Sequence, residues 1–251
     1  MVASGNDFVV IATPKLLTLA RKVCDRKYGI GADGLLLLEK SKKADIRMRI
    51  FNVDGSEAEM CGNGARCTAL WAKSKNLKIE TKAGIIESEV VNSNVKIKLT
   101  DPKDIKLGIP IRVNNRLLKL DFINTGVPHA VIFVEGLEKI EVSALGREIR
   151  YHRQFAPAGT NVNFVEVVDN NSIQVRTYER GVEDETLACG TGSVASALIF
   201  ALKSGAHEKI KVHTRGGEII RVYFMLQRNR FSDVWLEGKV SMVFKGEFLY
   251  Q

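Results

Sequence analysis

The chain has 251 residues, 45% hydrophobic and 26% charged, with 37 Lys and Arg against 29 Asp and Glu for a formal net charge of +8. That length allows one large domain or two of about 125 residues, either able to bury a core. The basic residues are scattered and the densest run, Lys40-Ser41-Lys42-Lys43, has no interleaved aromatic, which argues for a solvated surface or an acidic small substrate and against a nucleic-acid partner.

Phe8-Val9-Val10-Ile11 reads as a short buried strand, and Pro14 to Cys24 as an amphipathic helix with Pro near its first turn. Gly29-Ile30-Gly31-Ala32-Asp33-Gly34 has the glycine content of a nucleotide loop, but it follows a helix rather than a strand and fits the fingerprint weakly. Leu35 to Leu38 and the alternating Ile46 to Asn52 read as strands, and Gly64 to Lys73 as an apolar helix. Ser88 to Leu99 alternates about Asn92-Ser93-Asn94, a hairpin turn. Thr100 to Pro110 carries two of the five prolines and reads as a linker. His129 follows Pro128 in a turn, and Ser143 to Arg150 reads as a short helix. Asn163 to Val168 and Ile173 to Tyr178 are strands, Gly192 to Lys203 is a second apolar helix, and Lys209 to His213 and Val234 to Glu237 are strands again. Strands dominate and read mostly as antiparallel hairpins. The expected class is α+β, with two pseudo-symmetric domains, each a mostly antiparallel sheet or barrel wrapped around a central helix. The domains are expected at 1–108 and 109–240, with a C-terminal strand over 241–251 returning to the first.

An internal repeat underlies that division. Met60-Cys61-Gly62-Asn63-Gly64-Ala65 and Ala188-Cys189-Gly190-Thr191-Gly192-Ser193 both run C-G-x-G-small into a helix, 128 positions apart. Each cysteine follows a glutamate by four residues, Glu57 and Glu185, and Gly5-Asn6-Asp7-Phe8 resembles Thr160-Asn161-Val162-Asn163. A thiol at a helix N-terminus feels unpaired N–H groups and the positive end of the dipole, which favour its thiolate. Two such thiols, one a base and one an acid, can invert a carbon without a cofactor, and the glycines beside them let backbone donors approach a carboxylate. That pattern points to an amino-acid racemase or epimerase.

The other candidates are plainer. Cys67 lies on the helix and reads as packed, and Cys24 reads as a core or surface thiol. The four cysteines make neither a disulfide framework nor the spaced pairs of a zinc site, so no metal is expected. Glu179-Arg180 reads either as a surface ion pair or as grips for an ammonium and a carboxylate. His129 alone reads as a surface or hydrogen-bonding residue. With no signal-peptide pattern and no apolar run of about 18 residues, no membrane span is expected and the cytoplasm is the expected compartment.

Taken together with Phe51-Asn52-Val53-Asp54-Gly55-Ser56, Pro128-His129-Ala130-Val131 and Tyr178-Glu179-Arg180-Gly181, these blocks closely resemble the diaminopimelate epimerase family, nearly end to end and in family order. The resemblance implies conversion of LL- to meso-diaminopimelate on the route to lysine and peptidoglycan, with Cys61 and Cys189 as the two bases and His129 and Glu179 assisting them. It implies that Asn6, Asn52, Gly62, Asn63, Asn161, Glu179, Arg180, Gly190 and Thr191 line the substrate, that no cofactor is used, and that the protein is a homodimer. Gly34 and Val127 stand where many members carry Gln and Asn. The alternative on the same fold is a racemase of lysine or histidine.

Overall fold

The structure, a computed structural model, describes residues 1–12, 19–206 and 209–248. The chain divides into two units: Met1–Ile97 with Gly238–Gln251, and Lys98–Glu237.

The first unit contains β1 (Val2–Ala3), β2 (Asn6–Ile11), α1 (Leu19–Cys24), β3 (Gly34–Glu39), β4 (Ile46–Asn52), β5 (Glu57–Ala58), α2 (Gly62–Ala72), β6 (Asn76–Thr81), β7 (Gly84–Val91) and β8 (Asn94–Lys98). Residues 14–18 of the expected first helix lie outside the described residues, and its described part is α1. β2 and β3 pair in parallel around α1, β4 and β6 in parallel around α2, and β3–β4, β6–β7 and β7–β8 are antiparallel. β3 is a run of leucines buried from Leu35 to Leu38, as a strand covered on both faces requires. The turn after β7 has Asn92 at φ 57°, a left-handed conformation that Asn tolerates well.

The second unit contains β9 (Lys103–Val113), β10 (Arg116–Asn124), β11 (Pro128–Phe133), α3 (Val142–Arg150), β12 (Asn161–Asp169), β13 (Ser172–Glu179), β14 (Asp184–Thr186), α4 (Gly190–Ser204), β15 (Lys209–Thr214), β16 (Ile219–Gln227) and β17 (Arg230–Ser241). β11–β12 and β13–β15 are parallel, and β9–β10, β12–β13 and β16–β17 are antiparallel. The order from β2 to β7 thus recurs from β11 to β16.

Both central helices are buried around their circumference. α2 is buried without a break from Asn63 to Ala69 and packs on β1, β2, β3, β4, β6 and β7. α4 is buried from Gly192 to Ala201 and packs on β10, β11, β12, β13, β15 and β16. Burial on all faces explains why neither helix shows one apolar stripe. Side chains such as Leu198 and Phe200 each contribute about 1.5–3 kcal/mol by leaving water. The fold is α+β, two repeats of a mostly antiparallel sheet about a central helix. None of the described helices is long and apolar enough to cross a membrane.

Four expectations change. Thr100 to Pro110 is no linker: β9 begins at Lys103 and pairs with β10 through Pro110 opposite Lys119. Its prolines misled because a strand accepts Pro at a position whose N–H the ladder does not use. The return to the first unit occurs at Gly238–Ser241, where Val240 and Ser241 pair with Ala3 and Val2, while residues 242–248 carry no strand. His129 is in β11 rather than a turn. The repeat also aligns differently. Phe8 pairs with Gly34 as His129 pairs with Asn161, so Asn161 is the counterpart of Gly34 and not of Asn6. The Asn6 turn feeds β2, the first strand of its parallel pair, and the Asn161 turn feeds β12, the second of its own, a difference that sequence similarity alone does not reveal.

Candidate active site

In the first unit, Cys61 is the N-cap of α2, with extended backbone at φ −144° and ψ 122°, and its sulfur accepts from the Gly64 N–H at 3.5 Å. The first helical hydrogen bond runs from Ala65 N–H to Cys61 carbonyl, so the N–H groups of Gly62 and Asn63 stand ahead of the helical ladder. Asn63 Nδ2 donates to Asn6 Oδ1 at 2.6 Å, and Asn6 Nδ2 donates to Asp33 Oδ2 at 3.2 Å. Asn52 ends β4 and is exposed, with Nδ2 donating to Ser56 Oγ at 2.9 Å.

In the second unit, Cys189 caps α4 with the same extended backbone, φ −114° and ψ 114°. Ser193 N–H bonds the Cys189 carbonyl, leaving Gly190 and Thr191 N–H ahead of the ladder. The Cys189 sulfur lies 3.6 Å from Thr191 Oγ1. Burial, and then the carboxylate of Glu179, push the Cys189 thiol up to about 12, with the Thr191 hydroxyl opposing. The helix dipole alone favours a thiolate, yet at Cys189 desolvation prevails and the group holds its proton at neutral pH. Glu179 is itself raised by burial, and its Oε2 accepts from Thr186 Oγ1 at 3.0 Å.

Asn161 turns its side chain onto the backbone. Its Nδ2 donates to the Pro128 carbonyl at 3.0 Å and its Oδ1 accepts the Arg180 N–H at 2.8 Å, which fixes the turn carrying Arg180. The Arg180 guanidinium donates to the Ala158 carbonyl at 3.3 Å. Glu179 and Arg180 bond these other groups, so the surface ion-pair reading is replaced by two separately anchored side chains.

His129 is fully buried, and burial followed by the charge of Arg180 pulls its pKa down to about 3. Asn163 Nδ2 lies 3.1 Å from His129 Nδ1 and 3.0 Å from the Ala130 carbonyl, and Asn163 Oδ1 accepts from Thr177 Oγ1 at 3.0 Å. A carbonyl only accepts, so Asn163 must present its NH2 there, and His129 Nδ1 therefore accepts. The ring proton sits on Nε2, which has no hydrogen-bond partner among the described residues.

Asn163 was missed by motif reading. Its signal was a polar residue at a core position of Asn161-Val162-Asn163-Phe164. Gly192 belongs with it: a Cβ there would stand 2.3 Å from Asn163 Oδ1, so only glycine lets α4 pass over this amide. Cys24 and Cys67 are buried away from water at 1% and 0% exposure, and burial raises them to about 11 and about 12. Both pack in the interior, which decides for the core between the two readings of Cys24. None of the four cysteines is in a disulfide.

The family model for diaminopimelate epimerase matches residues 1–104 and 122–225. Curated relatives include the diaminopimelate epimerase of Aquifex aeolicus, 43% identical over 97% of this chain and 94% of that protein. The diaminopimelate epimerase of Methanocella arvoryzae is 42% identical over 98% and 94%. Among solved structures, a PhzF-family phenazine biosynthesis protein of Bacillus anthracis shares the fold at a TM-score of 0.72 and 20% identity, covering 95% of this chain and 92% of that one. A hydroxyproline epimerase from Agrobacterium vitis does so at 0.67 and 17%, covering 95% and 87%. Two cysteine-capped helices in repeated units, and this extent of identity, converge on one assignment: the chain belongs to the diaminopimelate epimerase family.

Proposed function

We propose that this isomerase inverts one α-carbon of LL-diaminopimelate to give the meso form, with Cys61 and Cys189 as the paired base and acid. The observation that carries this is the recurrence, at both cysteines, of an extended N-cap thiol followed by two N–H groups outside the helical ladder.

The α-proton is weakly acidic, and its removal builds negative charge on the adjoining carboxylate. The backbone N–H groups of Gly62, Asn63, Gly190 and Thr191 are donors suited to that charge. One thiolate takes the proton while the other thiol gives its own to the opposite face, and the roles exchange in the reverse reaction. Cys189, held protonated by burial, is the acid when Cys61 starts as base. Because the two titrate as a pair, apparent pKa values from kinetics belong to both. Asn6, Asn52, Asn63, Asn161, Glu179 and Arg180 line the substrate in this reading, with Arg180 suited to a carboxylate and Glu179 to an ammonium and to tuning Cys189. His129 orients through Asn163. The step itself uses no cofactor. Each unit acts as one domain, and the resemblance supports a homodimer working in the cytoplasm, the dimer being readable by light scattering of the purified protein.

The test is substrate-dependent exchange of the α-proton in deuterated buffer without added cofactor, offering LL-diaminopimelate, L-lysine and L-histidine separately. Exchange with inversion of diaminopimelate alone is expected. Exchange of lysine or histidine instead would keep the two thiols and change the substrate. Cys61→Ala and Cys189→Ala are each expected to abolish inversion, whereas Cys24→Ala and Cys67→Ala retain it. Wild-type turnover by either of the first two would overturn the mechanism.

A further inference from the structure

Asn6 and Asn63 are two links of a longer row of hydrogen bonds. Arg66, fully buried on α2, donates from Nη2 to Asn63 Oδ1 at 2.6 Å and to Ser4 Oγ at 2.5 Å. Asn63 Nδ2 donates to Asn6 Oδ1 at 2.6 Å, and Asn6 Nδ2 to Asp33 Oδ2 at 3.2 Å. Asp33 is held in turn. Its Oδ2 also accepts the Asp7 N–H at 3.2 Å, its Oδ1 accepts Arg26 Nη2 at 2.7 Å, and its own N–H donates to Asp7 Oδ1 at 2.8 Å.

The row has a direction. A guanidinium can only donate and a carboxylate can only accept. Turning the Asn63 amide by 180° would set N–H against N–H at Arg66. Turning Asn6 would set oxygen against oxygen at Asp33. With a donor fixed at one end and an acceptor at the other, both amides between them have one favourable orientation. In that orientation each amide keeps one N–H hydrogen outside the row, a donor available to a ligand carboxylate. The Gly29–Gly34 segment, a weak match to the nucleotide fingerprint, thereby acquires a role: it carries Asp33 to the end of the row.

We infer that Arg66 and Asp33 are positioning residues that fix the amide polarity of Asn63 and Asn6, so that both meet a substrate carboxylate as N–H donors. The inference rests on the reading above that these asparagines touch substrate. Asp33 is exposed and joins the row at Asn6, so its replacement acts on Asn63 along the row through Asn6.

The experiment compares Asp33→Asn and Asp33→Glu with the parent protein. Side-chain amide resonances of Asn6 and Asn63 are followed by 1H–15N NMR, and KM and kcat are measured with LL-diaminopimelate. Asp33→Asn, which no longer enforces an acceptor, is expected to shift or double both asparagine resonances. It is expected to raise KM about tenfold with kcat within about twofold, the scale of one mispaired hydrogen bond. Asp33→Glu, which keeps an acceptor-only end, is expected to restore KM to within about threefold of the parent. An unmoved Asn63 resonance in Asp33→Asn, or equal impairment by both variants, would overturn the inference. The resonances report on the row even if diaminopimelate proves not to be the substrate, so the two readings fail separately.

Discussion

Arg176 on β13 and Glu185 on β14 form a bidentate pair, with Arg176 Nε and Nη2 donating to Glu185 Oε1 and Oε2 at 2.7 Å each. The remaining guanidinium nitrogen donates to the Leu137 and Ile140 carbonyls at 3.0 and 3.1 Å. In the first unit Arg49 on β4 holds Glu57 on β5 in the same way, at 2.8 and 3.0 Å. The glutamate four residues ahead of each cysteine is therefore a tether, which fixes the short strand leading into the capped helix. Both pairs are largely withdrawn from water, with side-chain exposures of 8% and 19% for Arg176 and Glu185.

Breaking one such tether leaves a charge without its partner in a mostly dry place. Glu185→Gln is expected to destabilise the protein by roughly 1.5–3 kcal/mol, the range for charge-assisted hydrogen bonds. Urea unfolding measures this, and a cycle with Arg176→Met should recover a coupling of at least about 1 kcal/mol. Additive single effects would mean the pair contributes nothing as a pair.

The counterpart predicts a pH response. Hydrogen bonds from Arg49 hold Glu57 down to about 2, against an ordinary value of 4.5. Between those values the unfolded chain binds a proton at Glu57 and the folded chain does not, so this contribution is full above about pH 4.5 and is lost as pH falls toward 2. Glu57→Gln should flatten stability against pH in that window. Unfolding midpoints between pH 6 and 2.5 that fall equally steeply in both proteins would refute it.

Glu179 and Cys189 predict a reactivity change. The carboxylate is the second cause, after burial, of the raised thiol. Removing its charge in Glu179→Gln should lower the Cys189 pKa and speed alkylation of that peptide by iodoacetamide near pH 8, even as turnover falls. Mass spectrometry resolves Cys189 from Cys61. Slower alkylation of Cys189 would show that Glu179 activates the thiol instead of restraining it.

His129 should behave as a neutral Nε2–H ring. Its 15N shifts should stay flat from pH 8 to 5, since burial holds its pKa near 3. In Asn163→Ala the Nδ1 acceptor bond is lost and the tautomer preference should weaken. A midpoint near 6.5 in the parent protein would contradict the buried placement.

The class of fold and the two cysteines could be read directly from the chain, because helix N-caps, glycines and turn residues act within a few positions of themselves. Cys61 and Cys189 at helix starts, the buried strand Leu35–Leu38 and the hairpin at Asn92 depend only on local patterning. Which residues meet across strands was decided by tertiary structure. The pairing of Phe8 with Gly34 and of His129 with Asn161 realigned the repeat. The antiparallel pairing of β4 with β5 brought Arg49 to Glu57, and the packing of α2 and α4 on their sheets brought Arg66 to Ser4 and Gly192 over Asn163. The protonation of Cys189 also turned on packing: the helix dipole is written in the sequence, but the burial that outweighs it exists only once α4 is enclosed by its sheet.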